Sequence, residues 1–218
     1  SDFSNEAFAF GTSREVDIGY ATVRATRLTY VGELGWELYV PVEFAVGVYE
    51  TLMAAGAAFG LVNAGYYALD SLRIEKAYRA WGRELSPDRD PFEAGLAFAC
   101  KLDKDIPFRG REALLERKGK PPARRLVALT VDGHSHKMLW GGEAILRDGV
   151  AVGSVSSAAF GHTLGCPVAL GYVGANGAAV DTDYLKSGRY QIDLAGERLD
   201  VIVHLKAPYD PAGERVKS

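Results

Sequence analysis

The feature that most constrains this chain is the break Gly119-Lys120-Pro121-Pro122. Two adjacent prolines withhold two backbone donors and fix φ, so neither a helix nor a central strand runs through them. The pattern changes across the break. Upstream, short alternating runs give way to helical spacing. Downstream come six short runs rich in β-branched and aromatic residues: Arg125–Val131, Glu143–Arg147, Val150–Ser157, Val168–Val173, Arg189–Leu194 and Leu199–Leu205. Many short strands with regular turns predict a β-barrel or sandwich. Asp148-Gly149 between two of them is a strong two-residue hairpin signal, and Gly174-Ala175-Asn176-Gly177 is a further turn. The expected division is therefore 1–118, an α+β part, and 123–218, a β-barrel.

The upstream half reads as strand, strand, helix, helix. Val23–Tyr30 favours a strand, Val31-Gly32-Glu33-Leu34-Gly35 a turn, and Trp36-Glu37-Leu38-Tyr39-Val40 alternates. Period two places Trp36, Leu38 and Val40 on one face and Glu37 and Tyr39 on the other. Phe44, Val48, Leu52 and Ala55 recur at helical spacing between Pro41 and Gly60. A second helix is expected over Gly65–Ala80, ended by Gly82, with Leu69, Leu72, Ala77 and Trp81 in its buried stripe. A short helix is expected over Phe108–Lys118.

Composition limits the function classes. With 218 residues, 48% hydrophobic and 24% charged, the chain can bury a sizeable core. A net charge of −3 gives no support to nucleic-acid binding. Cys100 and Cys166 are too far apart for a disulfide framework or a CxxC site, and read as reduced thiols. The apolar runs read as falling short of the roughly 20 residues that span a bilayer. No secretory leader pattern opens the chain, so the cytoplasm is expected, or the mitochondrial matrix in a eukaryote. Ser1-Asp2-Phe3-Ser4-Asn5 enters at once into domain-like sequence, and a preceding segment is expected.

Two side chains stand out for chemistry. Glu37 faces away from the Trp36, Leu38 and Val40 trio. On pattern alone it is a solvated strand carboxylate. Functionally it suits a ligand offering two adjacent N–H donors, since a carboxylate accepts both in parallel and such charge-assisted bonds contribute about 1.5–3 kcal/mol each. Tyr30 can add an aromatic wall or a phenolic hydrogen bond. Arg73, three residues after Asp70, reads either as a weak local pair on a solvated helix face or as a fork for a ligand group. His134-Ser135-His136, His162 and His204 lack the spacing of a metal set. No P-loop, G-x-S-x-G elbow or G-x-G-x-x-G fingerprint is present.

Several blocks, in order, resemble the glycine-cleavage T-protein and its folate-domain relatives. Tyr30-Val31-Gly32-Glu33-Leu34-Gly35-Trp36-Glu37 is similar to the family's Y-x-G-E-x-G-x-E segment. Leu72-Arg73-Ile74-Glu75-Lys76-Ala77-Tyr78-Arg79-Ala80-Trp81-Gly82 resembles the versions fused to flavin dehydrogenases. Pro91-Phe92-Glu93-Ala94-Gly95-Leu96, Phe108–Leu114, Gly153–Ser157, Leu170–Val173 and Pro208-Tyr209-Asp210-Pro211 with Arg215 follow in family order. The wording of the blocks is nearest to the sarcosine and dimethylglycine dehydrogenase branch.

This resemblance implies an α+β layer followed by a small Greek-key β-barrel, together a partial T-protein-like folate-binding fold. It implies tetrahydrofolate as ligand, with Tyr30, Glu37, Arg73 and Arg215 at the site. FAD would enter only through an upstream domain that oxidises an N-methyl amine, the one-carbon unit passing to tetrahydrofolate. The family's catalytic aspartate lies upstream of the Tyr30–Glu37 segment, so the implied partners are an upstream flavin domain or an N-terminal folate segment, and the catalytic residue is unassigned. The alternatives are a stand-alone aminomethyltransferase and a non-catalytic folate-binding module.

Overall fold

The computed structural model describes residues 1–133 and 136–217. It separates into two compact units, Ser1–Arg73 with the chain from Asp210 onward, and Ile74–Tyr209.

The first unit is built on a three-stranded antiparallel sheet in the order β1 (Ser13–Ile18), β2 (Ala21–Thr26), β3 (Glu37–Tyr39). Alternation sets its faces. Val16 from β1 and Ala21, Val23 and Ala25 from β2 are buried with Phe8, while Trp36, Leu38 and Val40 pack against them. β3 pairs with β2 through Thr26↔Glu37, Ala25↔Leu38 and Arg24↔Tyr39. β1 was not expected, because its charges at Arg14, Glu15 and Asp17 mask the inward Val16 and Ile18.

The link between β2 and β3 is longer than the expected turn. β2 ends at Thr26, not Tyr30. Arg27 is 1% exposed and donates from Nη1 to the Phe8 carbonyl at 2.6 Å and from Nη2 to Asn5 Oδ1. Its guanidinium also lies 5.7 Å from the Trp36 ring centroid. A buried guanidinium must keep its partners, so Arg27 anchors the chain here and the loop starts one residue after the strand.

A 3-10 turn at Val42–Phe44, helix α1 (Ala45–Gly56) and a second 3-10 turn at Ala57–Phe59 follow. Of the expected stripe Phe44, Val48, Leu52 and Ala55, only Val48 is buried. By length and composition alone Val42–Phe59 is apolar enough to cross a membrane, contrary to the reading that no run approached that size.

Helix α2 covers Tyr66–Glu75 rather than Gly65–Ala80. Ala77 has φ +53°, which no right-handed helix accommodates. Side-chain bonds override the helical pattern here. The Glu75 carboxylate, 1% exposed, accepts from Thr163 N at 2.9 Å, Thr163 Oγ1 at 3.0 Å and Leu164 N at 2.9 Å. Arg79 donates to the carbonyls of Ala94 at 3.0 Å and Ala77 at 2.8 Å. Trp81, placed in the buried stripe by the sequence pattern, is 75% exposed.

The second unit is a closed six-stranded barrel of β4 (Arg124–Val131), β5 (Ala144–Arg147), β6 (Val150–Gly161), β7 (Cys166–Gly174), β8 (Tyr190–Leu194) and β9 (Glu197–His204), with the spatial order β4-β7-β6-β5-β8-β9. β5, β6 and β7 form successive hairpins and β8 returns beside β5, which is a Greek key. The β5–β6 turn has φ +52° at Asp148 and +83° at Gly149, the type I′ geometry that Asp-Gly favours. Helix α3 (Arg111–Arg117) precedes the barrel, and α4 (Thr182–Ser187), which had not been foreseen, is capped by Asp181 accepting from Tyr184 N at 2.7 Å.

Strands β4 and β7 are buried on both faces. Val127, Leu129, Val131, Ala169 and Val173 fill the barrel interior. Leu126, Ala128, Val168, Leu170 and Tyr172 pack outside it with Ile74. Each aliphatic side chain so buried contributes about 1.5–3 kcal/mol. The outer layer is clamped by the segment after α2. Glu84, 0% exposed, accepts from Ser157 Oγ at 2.5 Å and Ala80 N at 2.9 Å, and its carbonyl accepts from Tyr172 OH at 2.9 Å. Glu93 O accepts from Leu126 N at 2.9 Å. The block carrying Arg79-Ala80-Trp81-Gly82 thus does structural work on the barrel.

Candidate functional site

The four residues singled out in the sequence all lie in the first unit. The loop Leu28–Gly35 is shaped locally by Thr29, whose Oγ1 accepts from Val31 N at 3.2 Å and Gly32 N at 3.1 Å. Gly32 is buried at φ +80°, a conformation strained for any residue with a Cβ. Tyr30 is half-buried in this loop and not on a strand.

Glu37 opens β3 and is exposed, as its alternation with Trp36 and Leu38 requires. Tyr39, on the same face, donates its hydroxyl to Glu37 Oε2 at 3.0 Å. That hydrogen bond, and the carboxylate's charge, push the Tyr39 hydroxyl above the usual phenol range. The arrangement presents a fixed carboxylate edge to solvent from a strand whose other face is anchored in the core.

Arg73 makes the local pair expected of it, but not on a solvated helix face. It does pair with Asp70, Nε to Oδ1 at 2.9 Å, yet its side chain is 0% exposed against 35% for Asp70. The pair is therefore not on a solvated face. A desolvated guanidinium is costly to strip of a partner, so the contact with Asp70 is worth more than an exposed pair of the same spacing.

Arg215 lies in the tail, which Asp210 folds by accepting from Glu214 N at 3.0 Å and Arg215 N at 3.2 Å. Val216, 5% exposed, anchors it. From there Arg215 Nε reaches Glu33 Oε2 at 3.0 Å. The family-like segment is thus tied to the chain end by its own central glutamate, a contact the sequence reading missed.

Between loop and helix lies an apolar cleft of about 480 Å³ lined by Val31, Ala64, Gly65, Tyr66, Leu69 and Leu72. It falls within the size range of small-molecule sites. The structure thus brings Val31, next to Tyr30, opposite Leu72, next to Arg73. Glu37 stands apart, bonded to its strand neighbour. The cleft left only a partial trace in the sequence, the helical spacing of Leu69 and Leu72.

The described histidines serve packing and local bonds. His204 Nε2 lies 2.8 Å from Thr130 Oγ1, and burial pushes its imidazole below the ordinary value. His136 and His162 pack on Phe160 at 6.1 and 5.2 Å between centroids. His134 falls outside the described residues. Among those described, no group of three His, Cys, Asp or Glu side chains could hold a metal. Cys100 and Cys166 are both unpaired thiols.

Comparison with known proteins agrees with this architecture. Residues 1–104 match the GCVT N-terminal domain, and residues 124–210 match the glycine cleavage T-protein C-terminal barrel domain. Mitochondrial sarcosine dehydrogenase of Mus musculus is 49% identical over 218 residues, covering 100% of this chain and 24% of its own length. The mitochondrial pyruvate dehydrogenase phosphatase regulatory subunit of Mus musculus is 40% identical over 195 residues, covering 85% of this chain and 22% of its own. The crystal structure of glycine cleavage system aminomethyltransferase T from Bartonella henselae superposes with a TM-score of 0.75 at 28% identity, over 93% of this chain and 53% of that one. The chain spans about a quarter of the length of the curated relatives it first matches, 24% in two cases. On the two domain matches, the shared barrel and the sheet-and-helix layer, the chain belongs to the glycine cleavage T-protein family.

Proposed function

We propose that this chain is the folate-binding portion of a flavin-dependent enzyme that demethylates sarcosine or dimethylglycine and passes the one-carbon unit to tetrahydrofolate. The observation that carries the reading is the Glu37 carboxylate, held outward by a strand anchored through Trp36 and Leu38 and hydrogen-bonded at 3.0 Å by Tyr39. The 2-aminopyrimidinone edge of a pterin offers two parallel N–H donors, and a fixed carboxylate meets both. The apolar cleft beside Val31 and Leu72, separate from Glu37, suits an aromatic ring such as the ligand's aminobenzoyl group, not its charged glutamate. Tyr30 forms a wall, Arg73 holds the helix side, and Arg215 steadies the loop through Glu33. FAD belongs to a domain outside these residues, since nothing here supplies a Gly-rich dinucleotide turn. The chain divides functionally at 118–123, and in a eukaryote it acts in the mitochondrial matrix.

A second reading has a specific observation behind it. One relative at 40% identity is named a regulatory subunit, which favours a module that binds folate without catalysis. Titrating tetrahydrofolate into the full-length protein by calorimetry tests both. Binding together with folate-dependent release of less free formaldehyde from sarcosine is the expected result. Binding without turnover of either methylamine points to the second reading, and no binding at all overturns both.

A further inference from the structure

The outward face of the first sheet is ordered in rows across the strands. The inward face takes Val16, Ala21, Val23 and Ala25. Ser13 and Glu15 of β1, Arg24 and Thr26 of β2, and Glu37 and Tyr39 of β3 therefore project the other way. Register sets the rows. Ser13 lies opposite Thr26, and Thr26 opposite Glu37, while Glu15 lies opposite Arg24, and Arg24 opposite Tyr39. Directly opposite side chains have Cβ atoms about 4.5–5.5 Å apart, close enough to meet neighbouring atoms of one ring.

Thr26 is thus the cross-strand neighbour of Glu37. Arg24 stands one row away and is held by Glu15, Nη2 to Oε1 at 3.1 Å. Tyr39 is bonded to Glu37 itself. Thr26 Oγ1 lies 2.9 Å from Ser13 Oγ, and either atom can be the donor. Two hydroxyls carry two protons, and their mutual bond uses one. When Ser13 donates, the Thr26 proton is left for whatever lies on Glu37.

We infer that Thr26 is a specificity-determining residue of the proposed ligand site, its hydroxyl donating to the 4-oxo group of a pterin whose two N–H donors lie on Glu37. The inference rests on the Glu37 reading and extends it. The edge of a 2-amino-4-oxopyrimidine runs donor, donor, acceptor. The row of Glu37 and Thr26 answers it with acceptor, acceptor, donor. Ser13 is the positioning residue, since its donation to Thr26 turns the remaining proton outward. A ring without an oxygen at that carbon leaves the Thr26 proton unmatched, and sites built to hydrogen-bond a ligand group discriminate against analogues that lack it.

The test uses the full-length protein and tetrahydrofolate labelled with carbon-13 at C4. Thr26→Val keeps the β-branched shape that suits a strand and removes the hydroxyl. It should weaken binding about 3- to 10-fold in calorimetry, the loss of one neutral hydrogen bond. The C4 resonance of the bound ligand should move upfield, because its oxygen loses a donor. Thr26→Ser should restore both. Ser13→Ala frees the rotor without removing the donor, so it should weaken binding less than Thr26→Val. Weakening by Glu37→Ala, with affinity and the C4 resonance unchanged in Thr26→Val, would overturn this inference and leave the Glu37 reading standing. Equal losses in Thr26→Val and Thr26→Ser, or a larger loss in Ser13→Ala, would also overturn it. Unchanged affinity in Glu37→Ala would remove the ligand reading and this inference with it.

Discussion

Arg215 Nε donates to Glu33 Oε2 at 3.0 Å, joining two residues 182 positions apart. The contact ties the chain end to the loop that carries Tyr30. Both side chains are partly exposed, 61 and 37%, so solvent and salt screen the attraction. Its value lies in placement more than in stability.

A double-mutant cycle of Glu33→Ala and Arg215→Ala should therefore give a coupling energy of about 0.2–1 kcal/mol, shrinking as salt is added. Urea unfolding of the four proteins measures it. A coupling above about 2 kcal/mol at high salt would mean that the pair is effectively buried.

Glu84 should behave differently. Its carboxylate is fully enclosed and satisfies Ser157 Oγ and Ala80 N. Truncation to Ala takes this acceptor from both donors, and a loss of about 3–5 kcal/mol of stability is expected. Ser157→Ala removes only one partner and should cost about 1–3 kcal/mol. Equal, small losses in denaturant titrations would contradict the clamp role.

The carboxylate at Glu37 makes a ligand prediction. Glu37→Ala should weaken tetrahydrofolate binding by about 1.5–3 kcal/mol in calorimetry on the full-length protein. Glu37→Gln keeps one acceptor and should fall between the two. Unchanged affinity in both variants would sink the assignment. The same contact predicts that Tyr39 ionises above the usual phenol range, and that Glu37→Gln brings it back, since its bond to the carboxylate is the leading cause of the shift. The neutral phenol is the donor, so the contact holds below the raised value and is lost as pH climbs through it. Phenolate absorbance, referenced to Tyr39→Phe, reads this directly.

His204 supplies the acid-side counterpart. Burial depresses its imidazole below the ordinary 6.5, so in acid the unfolded chain takes up the proton first. Stability should be full above about pH 6.5, decline as pH falls below it, and level off beneath the folded value. His204→Gln should flatten that part of the stability–pH curve. An unaltered slope in the variant would assign the dependence to other groups.

What the sequence made legible was set by local rules. Asp148-Gly149 gave its turn because both residues tolerate positive φ. Trp36, Leu38 and Val40 gave the inward face of β3 by alternation. Sequence failed where distant partners decide. Nothing near Ala77 announces that Glu75 will be taken by Thr163 and Leu164, so the helix was drawn five residues too far at its C-terminal end. Arg27 and its acceptor Phe8 O likewise ended β2 early. At the proposed site, Glu37 and Tyr30 were singled out by motif, whereas the Glu33–Arg215 pair had no local signal. Arg73 was visible, but its burial was not, because a helical period does not tell how much of a side chain is enclosed.

The Greek-key closure has a consequence for how the second unit assembles. The β5–β6 and β8–β9 hairpins link neighbours in sequence and can zip within microseconds. β4 must instead find β7, as in Val127↔Gly171, and β9, as in Ala128↔His204. Those pairings close long loops, and the entropy is spent before the contacts form. The seam at β4 should thus be the last to form, so destabilising changes there should slow refolding less than changes in the β5–β6 hairpin and speed unfolding more.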